Sequence, residues 1–151
     1  FLFDHQPFSL DDFLSCLEKP RTLKTEEINK LKGYVTGFID LSFIHGDKIY
    51  LLDYKSNYLG NKFENYNAEA IEEDLYKHGY DLQYHIYAYA AHRFMQARVV
   101  DYHYENHFGG VCYLYLRGLQ KRGSTGVFTT TKPTYATIKK LDALFGRFQN
   151  A

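Results

Sequence analysis

One segment constrains the fold of this chain more than any other: residues 37–56, GFIDLSFIHGDKIYLLDYKS. Apolar residues lead to a polar turn, His45-Gly46-Asp47-Lys48, and lead away from it again, which is typical of a β-hairpin. A tight turn places His45 opposite Lys48, and the same register places Asp40 opposite Asp53. Because both strands carry apolar residues on both faces, we expect other elements to cover them.

Four apolar side chains share the face of the two acids in this register: Phe38, Ile44, Ile49 and Leu51. Facing carboxylates in a poorly solvated place are destabilising unless a cation lies between them. Lys55 lies on the same face, two residues after Asp53, and the backbone carbonyl of Tyr54 lies between them. Two carboxylates and a carbonyl are hard oxygen ligands, which suit Mg²⁺.

A lysine beside such a metal can orient or deprotonate a water and can stabilise charge that develops on a phosphate. The pattern therefore predicts a site for phosphodiester hydrolysis, with Asp40, Asp53 and Lys55 as catalytic residues. A surface hairpin in which aspartate and lysine are ordinary cross-strand partners is the alternative interpretation.

The bulk properties favour one soluble domain of 151 residues. The 18 basic and 18 acidic residues balance, so net charge does not indicate a nucleic-acid binder. No apolar run approaches the ~20 residues that span a membrane, and no signal peptide is evident. We expect a cytoplasmic protein. Because the only methionine is Met95, we also expect a fragment of a longer chain.

Local patterns outside the hairpin indicate alternating helices and strands. Helices are predicted over residues 9–18, 68–77, about 80–95 and 135–148, and strands over residues 109–119 and 126–131. Gln83 and Tyr87 are four residues apart, so they share one helix face with Tyr80 and Phe94. Strands and helices mixed in one sheet with helical cover predict an α/β fold.

An acid, a strand, an acid-x-lysine and a helix with Gln and Tyr together resemble the PD-(D/E)xK nuclease superfamily. Asp40 matches the first acid, and Asp53-Tyr54-Lys55 matches the D-x-K motif. Gln83 and Tyr87 match the Q-x-x-x-Y element of the RecB-like branch. The segments GFIDL, YLLDYKSNYLG, YDLQYHIYAYAAHR, HFGGVCYLYLRG and FTTTKP resemble carboxyl-terminal nuclease domains of RecB-type exodeoxyribonuclease V subunits, in that order, from about residue 33 to 145.

This resemblance implies a restriction-endonuclease-like mixed sheet flanked by helices, truncated at its N-terminus, within a single nuclease domain over residues 1–151. It implies that Asp40, Asp53 and the Tyr54 carbonyl bind Mg²⁺ and that Lys55 is the catalytic lysine. Gln83 and Tyr87 would support the site or contact DNA. A further histidine ligand of the family lies upstream of GFID, outside this chain, so we expect weak metal binding and an inactive isolated fragment.

The resemblance also implies a DNA substrate, a role in double-strand-break repair and recombination, and RecC-like and RecD-like partner subunits. No G-x-x-x-x-G-K-[ST] motif is present, so ATP would serve only a helicase motor outside this chain. One alternative is an inactive nuclease fold that docks a partner subunit. Another is a Cas4-like stand-alone exonuclease, which would carry cysteines for an iron-sulfur cluster, whereas Cys16 and Cys112 stand alone.

Overall fold

The computed structural model describes residues 10–18 and 38–145. The chain divides into two compact units. The larger unit is Ile39–Lys132. The smaller unit is formed by the parts of the chain before and after the larger one, and its described residues are 10–18, 38 and 133–145. The single nuclease domain over residues 1–151 stays a prediction.

A four-stranded mixed sheet forms the centre of the larger unit. Its strands are β1 (Leu41–His45), β2 (Lys48–Lys55), β3 (Phe108–Tyr115) and β4 (Val127–Thr129), which lie side by side in that order. β2 and β3 are parallel, and the other two pairs are antiparallel. The predicted α/β class with a mixed sheet flanked by helices is confirmed.

The β1–β2 hairpin has the predicted register. Its pairs run from His45 opposite Lys48 at the turn to Leu41 opposite Leu52 at the open end. Gly46 has φ +60° in the turn, a conformation that favours glycine. Asp40 precedes β1 directly, so the hairpin brings it to the end of β2 that carries the D-x-K motif.

Three helices of the larger unit are α2 (Ala68–Lys77), α3 (Tyr80–Gln96) and the short α4 (Tyr104–His107). The Asn67 side chain caps α2 by accepting a hydrogen bond from the Ala70 amide over 2.9 Å. Gly79 separates α2 from α3 with φ +73°. Both helices agree with the sequence-based prediction to within one residue.

The core of this unit lies where α3 packs on β3. β2 and β3 are central strands, which explains the burial of their apolar side chains. Fully or almost fully buried residues here include Leu51, Ile86, Tyr87, Val111, Tyr113 and Tyr115. The central position of β2 also carries its two charged residues near the strand end into sheltered surroundings.

The prediction that both strands of the hairpin are covered is wrong for β1. All five residues of β1 are exposed, and Ile44 and Phe38, which should have sheltered the acids, are 73% and 83% exposed. β1 has one neighbour in the sheet order and therefore forms an edge of the described sheet. Of the two hairpin strands only β2, which lies between β1 and β3, has buried apolar residues, Leu51 and Leu52.

The third strand ends earlier than predicted. β3 stops at Tyr115, and Leu116–Gly118 form a 3-10 turn instead of continuing the strand to residue 119. Gly118 lies directly against the Tyr66 side chain there. A Cβ atom added to Gly118 would lie 2.3 Å from the Tyr66 Cβ, so the position has no room for a side chain. The preceding 3-10 helix, Phe63–Tyr66, places this tyrosine.

The smaller unit contains helices α1 (Leu10–Cys16) and α5 (Tyr135–Phe145). The rings of Phe13 and Phe145 lie 6.1 Å apart. The predicted inner face of α5 is confirmed by the burial of Ile138, Leu141, Leu144 and Phe145. The predicted ends at residues 9 and 146–148 lie outside the described residues. Within the described ranges, no helix has the length and apolarity to cross a membrane.

Candidate active site

An ion pair lies at the carboxyl end of β2. The Lys55 Nζ is 2.5 Å from the Asp53 Oδ2, and the two residues are 8% and 5% exposed. They share a face of the strand because they are two residues apart. A buried charge is costly without a partner, so each of these groups depends on the other in this structure.

Asp40, which directly precedes β1, lies beside the same end of β2. Its Oδ2 accepts a hydrogen bond from the Tyr54 backbone amide over 2.9 Å. This bond fixes the carboxylate beside the D-x-K segment. The prediction that both acids are poorly solvated is wrong for Asp40. This residue is exposed because it directly precedes β1, the edge strand. Its carboxylate is therefore open to ligands from solvent.

The surroundings of Asp53 raise its pKa above its usual value. Burial raises its pKa most strongly, and the negative charge of Asp40 raises the pKa further. The hydrogen bond and the positive charge of Lys55 lower the pKa, but they do not cancel the increase. An additional cation beside the two carboxylates would favour the ionised form of Asp53.

The Q-x-x-x-Y element contacts the catalytic lysine that the resemblance implies. Lys55 Nζ donates to Gln83 Oε1 over 3.2 Å, and Gln83 Nε2 donates to the Tyr87 hydroxyl oxygen over 2.7 Å. Burial, followed by the charge of Asp53, raises the pKa of Tyr87 to about 12, so its hydroxyl keeps its proton at neutral pH. The structure thus assembles Asp53, Lys55, Gln83 and Tyr87 from a strand and a helix.

Two tyrosines that were not predicted as site residues also face Lys55. Its Nζ lies 3.7 Å from the ring centroid of Tyr80 and 5.4 Å from that of Tyr113. The contact with Tyr80 had a signal in the sequence, the helical spacing that places Tyr80 on the same face as Gln83. The contact with Tyr113 results from the parallel pairing of Asp53 with Tyr113, which no local pattern reveals.

The donor set fits a hard cation that keeps several waters. It offers one buried carboxylate, Asp53, and one exposed carboxylate, Asp40, which match the few protein ligands that Mg²⁺ commonly uses. The Tyr54 carbonyl as a third ligand stays a prediction. Across residues 10–18 and 38–145, no group of three or more histidine, cysteine, aspartate or glutamate residues is placed to hold a metal ion.

Known proteins are similar to the chain over most of its length, although no protein-family model matches it. Three similar proteins are named RecBCD enzyme subunit RecB. The one from Escherichia coli K12 is 44% identical over 119 residues, which are 79% of this chain and 10% of the relative. The one from Haemophilus influenzae is 40% identical over 147 residues, which are 96% of this chain and 12% of the relative.

The third, from Buchnera aphidicola subsp. Schizaphis graminum, is 46% identical over 116 residues, which are 77% of this chain and 10% of the relative. The chain thus spans about a tenth of the length of these relatives. Identity at this level over most of the chain establishes common descent with that part of them. The chain is therefore a RecB-related region.

Proposed function

We propose that this chain is a Mg²⁺-dependent DNA nuclease domain of a RecBCD-type helicase-nuclease. It would act as an exodeoxyribonuclease that hydrolyses phosphodiester bonds during double-strand-break repair and recombination. The observation that carries the proposal is the Asp53–Lys55 pair beside Asp40, within a chain related to RecB. The name of these relatives, RecBCD enzyme subunit RecB, supports RecC and RecD as partner subunits, and a DNA substrate would imply a cytoplasmic enzyme.

In this proposal the two acids and one carbonyl hold the metal. Asp40 and Asp53 supply carboxylate oxygens, and Tyr54 supplies its backbone oxygen. When bound, Mg²⁺ would lower the pKa of a bound water and neutralise charge on the scissile phosphate. The Tyr54 amide keeps Asp40 in place for this role, since it donates to the carboxylate.

Lys55 would act on the attacking water and on the phosphate. Its ammonium can orient the water and stabilise the negative charge that develops on the phosphate oxygens. Gln83 directs the ammonium by accepting one of its three N–H groups. Tyr87 is then a positioning residue that acts through Gln83, because it contacts the amide and not the reacting atoms.

A nuclease fold that docks a partner without catalysis is the second candidate function. The exposed apolar residues of β1, Leu41, Phe43 and Ile44, favour an association of that kind. The burial of Asp53 and Lys55 argues against it as the sole function, because a site without chemistry has no reason to keep costly buried charges.

The decisive experiment measures Mg²⁺-dependent cleavage of linear single-stranded DNA by the longer parent protein in its assembled form. Asp53→Ala and Lys55→Ala should abolish cleavage and leave the motor active. Asp47→Ala and Lys48→Ala are matched controls, because both residues are exposed at the turn end of the same hairpin. An active Lys55→Ala enzyme would overturn the catalytic assignment, and an inactive, motor-competent parent would favour the docking module.

A further inference from the structure

The ring of Tyr80 forms an aromatic contact for Lys55 in the candidate site. The 3.7 Å between Nζ and the ring centroid is well within the ~6 Å over which an ammonium is attracted to the face of a ring. The ammonium is 8% exposed as part of Lys55, so little water competes for it. Such desolvated cation–π contacts are stronger than those on a surface.

The surrounding structure holds the Tyr80 ring in place. Tyr80 is the first residue of α3, and its backbone carbonyl accepts a hydrogen bond from the Tyr113 hydroxyl over 3.0 Å. Its ring stacks on that of Tyr113, with centroids 6.3 Å apart, and on that of His78, with centroids 5.6 Å apart. Tyr80 is therefore attached to β3 through both its backbone and its ring.

The contacts of Lys55 differ in how strongly they would hold its ammonium after a cation enters the site. Asp53 Oδ2 is the strongest of them, and the same carboxylate is a proposed metal ligand. A carboxylate that shares its charge with a divalent cation attracts an ammonium less. The Gln83 carbonyl and the Tyr80 ring are uncharged, so they can hold the ammonium without competing for the metal.

We propose that Tyr80 is a positioning residue for Lys55, whose ammonium rests on the face of the Tyr80 ring once Asp53 is engaged by a divalent cation. The inference rests on the proposed nuclease function, because that function gives Asp53 its cation and Lys55 its task. It adds an aromatic residue outside the Q-x-x-x-Y element to the groups that direct the lysine.

The first test compares two substitutions of Tyr80 in the assembled parent protein. Tyr80→Leu should lower the single-turnover rate of cleavage of linear DNA about tenfold, or about 1.4 kcal/mol, whereas Tyr80→Phe should stay within about twofold. Phe94→Leu is the matched control. Phe94 lies on the same helix, is 52% exposed, and has the Arg98 guanidinium 4.1 Å from its ring centroid.

A second series separates the electrostatic role of the ring from its shape. Phenylalanines with one, two and three ring fluorines at position 80 keep the size of the ring and progressively weaken the negative potential of its face. The cleavage rate should fall step by step with the number of fluorines. A flat series beside an impaired Tyr80→Leu variant would show a purely steric role and would overturn the proposal.

A third measurement does not depend on cleavage. Acetylation of Lys55 by an amine-reactive reagent is followed by mass spectrometry of the assembly, with Mg²⁺ and without DNA. Tyr80→Leu should accelerate the modification of Lys55 about threefold or more, on the scale of a lost cation–π contact, and should leave exposed Lys48 unchanged. The acceleration should be smaller without Mg²⁺, because Asp53 then retains Lys55.

The outcomes distinguish this inference from the function on which it rests. Wild-type rates of both cleavage and acetylation in Tyr80→Leu, beside an inactive Lys55→Ala variant, would overturn the role of Tyr80 and leave the nuclease intact. A parent protein that cuts no DNA would contradict the nuclease function, and one that still cuts after Lys55→Ala would contradict the catalytic role of Lys55. In either case, unchanged acetylation of Lys55 in Tyr80→Leu would also refute the contact itself.

Discussion

Gln83 and Tyr87, one turn apart on α3, are joined by a 2.7 Å hydrogen bond in which the Gln83 amide is the donor. The Lys55 ammonium can only donate, so the oxygen end of the Gln83 amide faces it, and the Tyr87 hydroxyl accepts from the other end. With Nε2 directed at Tyr87, Oε1 faces the ammonium and accepts from it over 3.2 Å. The reverse orientation would place an N–H group against a cation.

Removal of the Tyr87 hydroxyl should therefore impair Lys55 through Gln83. Tyr87→Phe deprives the Gln83 amide of its acceptor, and we expect a loss of about 1 kcal/mol, or about fivefold in the cleavage rate. Single-turnover cleavage by the assembled parent protein measures the change. In a Gln83→Leu background the same substitution should have no further effect, and an undiminished effect there would contradict the relay.

The raised pKa of Asp53 predicts how stability changes with pH. The folded protein binds a proton at Asp53 more readily than the unfolded chain does, so stability contributed by this group falls as pH rises from 3.8 through the raised pKa. Asp53→Asn lacks this titration. Urea unfolding at several pH values should show that wild type loses stability relative to Asp53→Asn across that window. A relative gain with rising pH would reverse the assigned direction.

Asp40 should matter for metal binding and little for folding. Asp40→Asn removes a carboxylate charge beside Asp53 and keeps an oxygen that can accept from the Tyr54 amide. We expect Mg²⁺ affinity to fall about tenfold or more, because the charge of the ligands tunes affinity for hard cations. Stability should change by less than about 0.5 kcal/mol at this exposed position. Calorimetric titration with Mg²⁺ measures the affinity, and Asp47→Asn is the control.

Asp74 should be a major determinant of stability. It is 7% exposed, and its carboxylate accepts from the Asn57 side chain over 2.7 Å and from the Tyr115 hydroxyl over 2.8 Å. Asp74→Ala leaves both donors without this partner, which should cost about 3 kcal/mol. Denaturant unfolding measures the loss. Glu73→Ala, at the exposed neighbouring position on α2, should change stability by no more than about 0.5 kcal/mol.

Local chemistry predicted much of the fold. The hairpin register follows from a two-residue turn and the strict alternation of side chains, so the order of residues alone is enough to predict the pairs from His45–Lys48 to Leu41–Leu52. The limits of α2 and α3 follow from the cap at Asn67 and the left-handed Gly79, which act within a few residues. Turns and helix caps depend on residues that are close together in the chain, so the local sequence is enough to predict them.

The sequence could not reveal which surfaces other elements cover. Apolar residues on both faces suited β1 and β2 equally, yet only β2 lies between two strands. The burial of Asp74 has no local signal, because its partners Asn57 and Tyr115 come from distant segments. The Tyr80 contact was missed for a related reason, since a tyrosine on an amphipathic helix is ordinarily packing and its cation comes from β2.

The division of the two acids between an edge strand and a central strand has a thermodynamic consequence. Asp40 is joined to β2 through one hydrogen bond to the Tyr54 amide, whereas Asp53 is embedded in the sheet. Local opening of β1 would separate the carboxylates without unfolding the core. In the proposed function a divalent cation would need both carboxylates, so it would bind the closed hairpin preferentially, and its apparent affinity would include the free energy of closure. Ion binding and the fraying of one short strand would then be coupled equilibria, each of which reports on the other.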